Sequence, residues 1–492
     1  MIVLFNRIKY ILPSLQGRGW RWVFLFFLLL LVACGDDGQL PQPEDGLPPQ
    51  IVWAMSSGRF RVMAGETLML VPDIKNADET TTFCWTRDGE KVGKENYYTF
   101  VSDVPGEYFI QLRVTNRYGQ TDDEVKITVE EAENTTLPDI PEHSGWKFPW
   151  TEINMAQGRS IKIKAYMTGT SDEVSEVFTA TAEGSYTVTL THPATGAQQE
   201  FSIHVCPPAG RYRRSADGQA MVNRVYEYMP APGHQVNGYI IVGESYPADC
   251  SHEQACDSVW AHFSRMWSVS LGGQGGYLIA GFDHSVPNSE MGNGKSDYDL
   301  CIKGNPFSYQ SEPGIIWVSQ DDNGDGLPND QWFELAGSEY GSENETLEYA
   351  ITYYRPAERK SATGWRDCFN QTGYIPYLNY WNPSPFYWQP WVEGSEHTYF
   401  GSRLKDRSTY QNGISDIPPY DWGYADNLGD FIDGPAGKMG YYKISNARTW
   451  DGNPANLAYI DFVKIQTAQT GSTPNLGEIS TEVYYIGDCH LQ

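Results

Sequence analysis

The chain has 492 residues, of which 62 are Asp or Glu and 35 are Lys or Arg, giving a formal net charge of −27. This negative charge argues against nucleic acid or an anionic membrane surface as a partner, because both are polyanions. Tyr and Trp are abundant, with 32 and 16 copies. Long helical stripes are almost absent, and Gly, Pro, Asn and Thr interrupt short alternating runs. The length predicts more than one domain, and the patterning predicts an all-β fold.

A short apolar run, Val23–Ala33, follows basic residues near the start of the chain. It is too short to span a bilayer and is typical of a signal-peptide core. The run ends in Leu-Val-Ala-Cys34-Gly, which resembles the lipobox of bacterial lipoproteins. This resemblance implies that residues 1–34 hold a lipoprotein signal peptide and that Cys34 is acylated. The alternative is an ordinary cleavage site beside an incidental cysteine.

Residues 35–50 are rich in Pro, Gly and acidic side chains, which predicts a flexible acidic tether. The pair Asp36-Asp37 directly after the cysteine resembles the export signal of Bacteroidetes surface lipoproteins. The resemblance implies that the protein is lipid-anchored in the outer membrane and exposed at the cell surface.

Residues 51–132 are predicted to form a first sandwich of about seven short strands around a buried Trp85, which is typical of an immunoglobulin-like (Ig-like) domain. Asp88-Gly89 predicts a hairpin turn, and the run from Tyr108 to Val114 alternates as a strand does. The segments WTRDG, GEYFIQLRVTNRYG and VKITV resemble the PKD family of Ig-like modules.

Residues 133–208 repeat this pattern, since Gly106-Glu-Tyr108 recurs as Gly184-Ser-Tyr186. Tandem modules of this kind are usually spacers, and the alternative is that one of them binds a ligand itself.

Residues 215–492 are long enough for one large β-sandwich. Strands are predicted at Asp299–Ile302, Gly314–Val318 and Gln331–Leu335, and one helix is predicted at Cys256–Trp267. The Gly-rich segment Leu271–Gly276 lacks the Lys-Ser/Thr of a nucleotide loop and predicts a tight turn with close backbone approach.

The segments SLGGQGGYLIAGFDHSV, DYDLCIKGNPF and SEPGIIWVSQDDNGDGLPNDQWFELAGSEYG resemble the C-terminal module of PKD-bearing surface lipoproteins of gut Bacteroidetes. Among these, the similarity is to the BtuH-type cobalamin-binding lipoproteins. The resemblance implies a jelly-roll-like module that captures cobalamin or another corrinoid and delivers it to a TonB-dependent outer-membrane transporter. Residues 429–450 are irregular, so no family pattern is carried over there.

An oxygen-rich loop follows the strand at Gly314–Val318 and predicts a structural Ca²⁺ site. Position 12 of this loop is Trp332 where an EF-hand has Glu, so the loop is not an EF-hand. The alternative is an acidic turn that needs no metal. The predicted ligands are Asp321, Asn323, Asp325, the carbonyl of Leu327, and Asn329 or Asp330.

Residues 374–400 form a segment rich in aromatic residues, and its prolines forbid a helix or a central strand. Displayed Trp and Tyr rings suit a corrin ring or a sugar face, and the alternative is that the rings pack as a satellite core. The predicted ligand-binding residues are Tyr380, Trp381, Tyr387, Trp388 and Trp391.

Cys250 and Cys256 lie close together in an exported chain and are predicted to form a disulfide. Neither a GxSxG nor an HExxH motif occurs, and no enzymatic activity is predicted. A glycosidase-type carboxylate pair is the remaining catalytic alternative. The predicted function is non-covalent capture of a corrinoid. The alternatives are a carbohydrate-binding lipoprotein of a glycan-uptake system and an adhesive or structural surface protein.

Overall fold

The computed structural model describes the following residues: 46–53, 59–65, 67–130, 137–142, 145–167, 174–208, 212–214, 218–233, 236, 250–291, 297–307, 309–357, 361–377, 388–411, 414–430, 438–473 and 476–491. They divide into two compact units. The first holds the described parts of Met1–Gly58, Val71–Tyr98 and Phe109–Val125. The second holds Arg59–Leu70, Thr99–Tyr108 and the described parts of Lys126–Gln492.

The described residues before position 131 form nine strands: β1 (Gln50–Val52), β2 (Arg59–Met63), β3 (Thr67–Leu70), β4 (Asp73–Lys75), β5 (Thr82–Arg87), β6 (Glu90–Gly93), β7 (Tyr98–Val101), β8 (Gly106–Asn116) and β9 (Gly119–Glu130). In the first unit, β5 pairs antiparallel with both β6 and the end of β8. Trp85 of β5 is fully buried, as predicted. Asp88 and Gly89 join β5 to β6 with φ of 53° and 82°. These positive φ values are those of the tight hairpin turn that Asp-Gly favours.

The second module has six strands: β10 (Trp146–Lys147), β11 (Glu152–Ala156), β12 (Ser160–Met167), β13 (Val174–Thr179), β14 (Gly184–Thr191) and β15 (Gln198–Cys206). They form two sheets, β10-β12-β13 and β11-β15-β14. Apolar side chains of both sheets share one core, which includes Ile153, Ile163, Val188 and Phe201. Two sheets that enclose a common core make this module a β-sandwich.

Two local features support the repeat predicted from the sequence. β2 pairs parallel with the end of β9, and β11 pairs parallel with β15. The hydroxyl of Tyr108 donates to the carbonyl of Val104 at 2.7 Å, and that of Tyr186 donates to the carbonyl of Ala182 at 2.9 Å. Tyr108 and Tyr186 thus occupy equivalent positions, and each makes the same hydrogen bond to a carbonyl four residues earlier.

The third module contains the helix α1 (His252–Phe263) and short 3₁₀ turns at Ser289–Met291, Leu428–Asp430 and Ile444–Asn446. Its strands are β16 (Arg224–Met229), β17 (Val269–Ser270), β18 (Tyr277–Pro287), β19 (Leu300–Lys303), β20 (Gly314–Ser319), β21 (Trp332–Leu335), β22 (Glu345–Tyr354), β23 (Thr363–Asp367), β24 (Thr372–Ile375), β25 (Glu396–Leu404), β26 (Thr409–Gln411), β27 (Ile414–Asp416), β28 (Met439–Tyr442), β29 (Ala447–Arg448), β30 (Tyr459–Thr467), β31 (Ser472–Thr473), β32 (Gly477–Glu478), β33 (Glu482–Val483) and β34 (Tyr485–Asp488).

A six-stranded antiparallel sheet, β16-β18-β30-β20-β21-β29, is the centre of the third module. On one face, its apolar side chains share a core with α1 and with the three-stranded sheet β28-β19-β34. A second core gathers side chains of the four-stranded sheet β24-β23-β22-β25. The fold is all-β: Ig-like sandwiches precede a larger β-sandwich, as the patterning predicted.

The helix begins four residues before its predicted start at Cys256. Ser251 is the N-cap: its hydroxyl accepts from the backbone N–H of Gln254, and the Gln254 side chain accepts from the N–H of Ser251. This reciprocal capping box satisfies donors that the first turn would otherwise leave unpaired. Apolar periodicity alone misses this start, because the polar first turn has no buried side chain before Ala255.

The glycines of the segment Leu271–Gly276 permit the close approach that was predicted. A Cβ on Gly276 would lie 1.8 Å from the carbonyl oxygen of Leu271, and one on Gly272 would lie 2.0 Å from that of Ala231. Within the described ranges, no helix is both long and apolar enough to cross a membrane.

Candidate functional site

A cleft of about 730 Å³ lies between the second and third modules. Residues 146–166 of the second module form one wall, and residues of the six-stranded and four-stranded sheets and of loops of the third module form the rest. The lining combines aromatic rings with charged side chains. Ligand sites in proteins have this size and this mixture of apolar walls and few polar groups.

The floor of the cleft is a row that takes one residue from each strand of the six-stranded sheet. The registers place these residues side by side across neighbouring strands. All six line the cleft. In sheet order they are Glu227, Ile279, Lys464, Trp317, Glu334 and Arg448.

The alternation of β-strands explains why this row faces the cleft. Trp317 lies between Ile316 and Val318, which are both buried in the core on the other face of the sheet. Because successive side chains point to opposite faces, Trp317 must point away from that core. Lys464 occupies the equivalent position on β30, between two buried apolar residues.

Lys464 lies at the centre of the row, and burial lowers the pKa of its amine to about 8, against the opposing effect of Glu227 and Glu334. Its Nζ is 4.4 Å from the centre of the Tyr277 ring, which supports a cation–π contact. The Tyr277 hydroxyl donates to Glu227 at 2.7 Å. The cleft floor therefore holds an amine that titrates near neutral pH.

Glu334 of the row forms a pair of buried carboxyls with Glu345. Burial and the neighbouring charge of Glu345 raise the pKa of Glu334 well above its usual range, and burial also raises that of Glu345. The hydroxyl of Ser402 donates to Oε2 of Glu334 at 2.5 Å. Such a pair favours shared protonation, because two adjacent buried carboxylates repel one another.

The wall from the second module contributes paired charges and aromatic rings. Lys162 and Lys164 both reach Oε2 of Glu348, at 2.8 and 3.2 Å. Lys147 forms an ion pair with Glu396. The rings of Trp146 and Trp150 lie on the same wall. These ion pairs hold the second module against the third along the cleft.

The predicted aromatic segment is only partly described. Trp388 is 5% exposed, and its Nε1 donates to the carbonyl of Val392 at 3.1 Å. Trp391 packs against both cores of the third module, and its Nε1 donates to the carbonyl of Tyr228 at 3.2 Å. Both indole N–H groups are thus satisfied by backbone carbonyls; Trp388 is buried and Trp391 is half-buried, and ligand contact by either ring stays a prediction. Tyr380, Trp381 and Tyr387 lie outside the described residues.

The predicted metal loop is divided between an exposed and a buried side. On the exposed side, the amides of Asn323 and Asn329 both donate to Oδ2 of Asp325, at 2.8 and 2.9 Å. The two oxygens of Asp321 accept from the N–H groups of Gly324 and Gly326. Asp330 is 1% exposed on the buried side, while Leu327 is exposed. Hydrogen bonds therefore link most of the predicted ligands within one loop, and metal binding by this set stays a prediction.

Within the described ranges, three carboxylates converge at a different place. One oxygen each of Glu312, Asp426 and Glu482 lies within 4.8 Å of the others. Burial raises the pKa of Glu312 to about 7, and burial together with the Glu312 charge raises those of Asp426 and Glu482 well above their usual range. The backbone N–H groups of Asn305 and Ser480 donate to Asp426 and Glu312. The raised pKa values favour protonated carboxyls in this cluster, and the two backbone donors add hydrogen bonds to it.

The predicted disulfide is not formed. Cys256 lies on α1, with its sulfur 3.6 Å from Nε2 of His252, whereas the sulfur of Cys250 contacts the carbonyl of Ser251. The helix begins between the two cysteines and directs their side chains to different partners. Cys34 lies outside the described residues.

Comparison with known proteins supports the Ig-like part of the chain. Residues 48–116 match the family of PKD-like domains. Solved structures with similarity include a titin fragment, 16% identical over 32% of this chain and 99% of that chain, with a TM-score of 0.15. A quinonprotein alcohol dehydrogenase-like protein from Bacteroides thetaiotaomicron is 14% identical over 30% of this chain and 48% of that chain, with a TM-score of 0.16.

The insect immune protein hemolin is 15% identical over 34% of this chain and 48% of that chain, with a TM-score of 0.15. No curated protein matches the chain. The family match agrees with a PKD-like β-sandwich in the first part of the chain.

The row on the six-stranded sheet was missed from the sequence. Some of its charged residues interrupt apolar strands, as Lys464 does in Tyr-Ile-Asp-Phe-Val-Lys-Ile. A charged or bulky residue between two apolar neighbours signals a second, lined face of the sheet. That signal does not reveal which strands lie side by side.

Proposed function

We propose that the protein is a lipid-anchored cell-surface protein that captures a carbohydrate non-covalently in the cleft between the second and third modules. The observation that carries this proposal is the row across the six-stranded sheet, in which charged groups alternate with an aromatic and an aliphatic residue. A pyranose ring presents an apolar face and a rim of hydroxyls, so it needs both kinds of contact from one surface.

Lys464 and Glu227 would bind hydroxyls, since ionised donors and acceptors make the stronger hydrogen bonds. Trp317 and the rings of the opposite wall would cover the apolar faces. Non-covalent binding without catalysis also fits the carboxyl groups of the cleft. Glu396 and Glu348 form ion pairs with lysines, and the raised pKa of Glu334 favours its protonated form.

A corrinoid is the second candidate, on the family resemblance and on the broad aromatic walls that would accept its flat ring. In either case, delivery to a TonB-dependent transporter would follow capture. The two ligands are distinguished by direct titration.

The test is a glycan array with the purified protein, followed by calorimetry with the glycans that bind and with cyanocobalamin. Trp450 also lines the cleft. We expect Trp317→Ala and Trp450→Ala to weaken binding by roughly tenfold each, which is the loss of one aromatic contact. Trp260→Ala is the matched control, because Trp260 is 39% exposed on α1 and does not line the cleft. Equal effects of all three changes, or no binding of any glycan or of cyanocobalamin, would refute capture in the cleft.

A further inference from the structure

The acidic loop, residues 320–331, is where the third module is joined to the second. The backbone N–H of Asn154 donates to the carbonyl of Asn329 at 3.1 Å, and the N–H of Ala156 donates to Oδ2 of Asp322 at 3.1 Å. Arg159 forms an ion pair with the same oxygen of Asp322 at 2.7 Å. One edge of the second module is therefore held by the buried side of this loop.

Three carboxyl oxygens on that buried side have no hydrogen-bond partner at bonding distance and angle among the described groups, although the backbone N–H of Asp322 lies near the Asp330 carboxyl and lowers its pKa. The three oxygens are Oδ1 of Asp322 and both carboxyl oxygens of Asp330. Asp322 is 3% exposed and Asp330 is 1% exposed, so bulk water does not solvate them. A buried carboxylate without partners is costly, and such groups are normally paired, protonated or bound to a metal.

The neighbouring cation does not compensate both carboxyls. Arg159 contacts Oδ2 of Asp322, and its other terminal nitrogen is directed to Gln320. No described ion pair includes Asp330, and the charges nearest to it are those of Asp322 and Asp321, which are also negative. A hard divalent cation would supply the missing charge, because Ca²⁺ prefers carboxylate oxygens as ligands.

We infer that a divalent cation of the Ca²⁺ type binds on the buried side of this loop, between Asp322 and Asp330, and clamps the second module to the third. This site differs from the exposed set of Asn323, Asp325 and Asn329, whose side chains already satisfy one another.

The position of the clamp connects it to the cleft. Gln331 and Trp332, which directly follow Asp330, both line the cleft. The amide of Gln331 also donates to the carbonyl of Ser160 in the second module, at 2.9 Å. A cation that orders Asp330 therefore orders both the junction and one edge of the cleft.

The test is calorimetric titration of the EGTA-treated protein with CaCl₂, with thermal unfolding and hydrogen exchange measured with and without Ca²⁺. We expect Ca²⁺ to bind, to raise the unfolding temperature and to slow exchange of the Asn154 and Ala156 amides. We expect Asp330→Asn and Asp322→Asn each to weaken Ca²⁺ binding by about tenfold or more, since each removes a charged ligand. Asp325→Asn is the matched control, with the same change of charge on the exposed side of the same loop.

Absence of both heat and a temperature shift on adding Ca²⁺ would overturn the inference, and would mean that Asp330 is held by a proton. A larger loss of affinity in Asp325→Asn than in Asp330→Asn would overturn it too, by placing the cation on the exposed side. Binding that leaves the Asn154 and Ala156 amides unchanged would refute the clamp. The titration contains no cleft ligand, so its outcome is independent of the proposed capture function.

Discussion

Replacing Lys464 by Met tests whether the amine at the centre of the cleft floor is desolvated. Burial lowers its pKa to about 8, whereas a lysine in an unfolded chain titrates near ~10.4. Between these two values the unfolded state binds more protons than the folded state. The stability of the wild-type protein therefore rises with pH across that window. A Met side chain has a length similar to that of Lys and carries no group that titrates.

The size of the effect follows from the difference in pKa. It corresponds to at most about 3 kcal/mol of unfolding free energy, and partial exposure of the side chain makes this an upper bound. At pH 7 we expect Lys464→Met to be more stable than the wild type by up to that amount. Near pH 10 the difference should have largely disappeared, because the folded wild-type amine is then neutral.

The assay is denaturant unfolding of the third module at pH 7, 8.5 and 10 for both proteins, followed by tryptophan fluorescence. Lys405→Met is the control, because Lys405 is exposed and its amine stays hydrated. A stability difference for Lys464→Met that stays constant with pH, or that tracks the control, would refute the desolvation of Lys464.

Three further substitutions test the fold and the junction. Trp85→Ala should destabilise the first module by about 3–5 kcal/mol, because it empties a fully buried site; a loss below about 1 kcal/mol in denaturant unfolding would contradict this. Arg159→Met should cost about 3 kcal/mol, because it leaves the buried Asp322 without its ion pair, and an unchanged unfolding temperature would argue against the junction. Gly276→Ala should lower the unfolding temperature sharply, because its Cβ would lie 1.8 Å from the Leu271 carbonyl; a wild-type temperature would show that the loop can move away.

Local sequence patterns were sufficient to predict the strands but not to predict the floor of the cleft. The alternation from Tyr108 to Val114 and the apolar run at Gly314–Val318 predicted β8 and β20 to within a few residues. The cleft floor depends on which strands become neighbours, and Glu227 and Lys464 are far apart in the sequence. Register across a sheet is a property of the whole chain, so no local window contains it.

The aromatic segment shows a different limit. A tryptophan can serve a ligand or a core equally well, and composition does not distinguish the two roles. At Trp388 the indole N–H donates a hydrogen bond to the carbonyl of Val392, so the polar atom of the ring has its partner inside the protein. Only the three-dimensional arrangement reveals that carbonyl.

On the six-stranded sheet, the residues that build the core lie on one face and the row that lines the cleft lies on the other. Along β20, Ile316 and Val318 secure the core, while Trp317 alone meets the cleft. A point mutation at such a residue can alter selectivity without disturbing the hydrophobic interior. Each of the six strands offers one such position. Substitutions at these six positions could therefore change the ligand that the cleft accepts while the core residues, and with them the fold, stay the same.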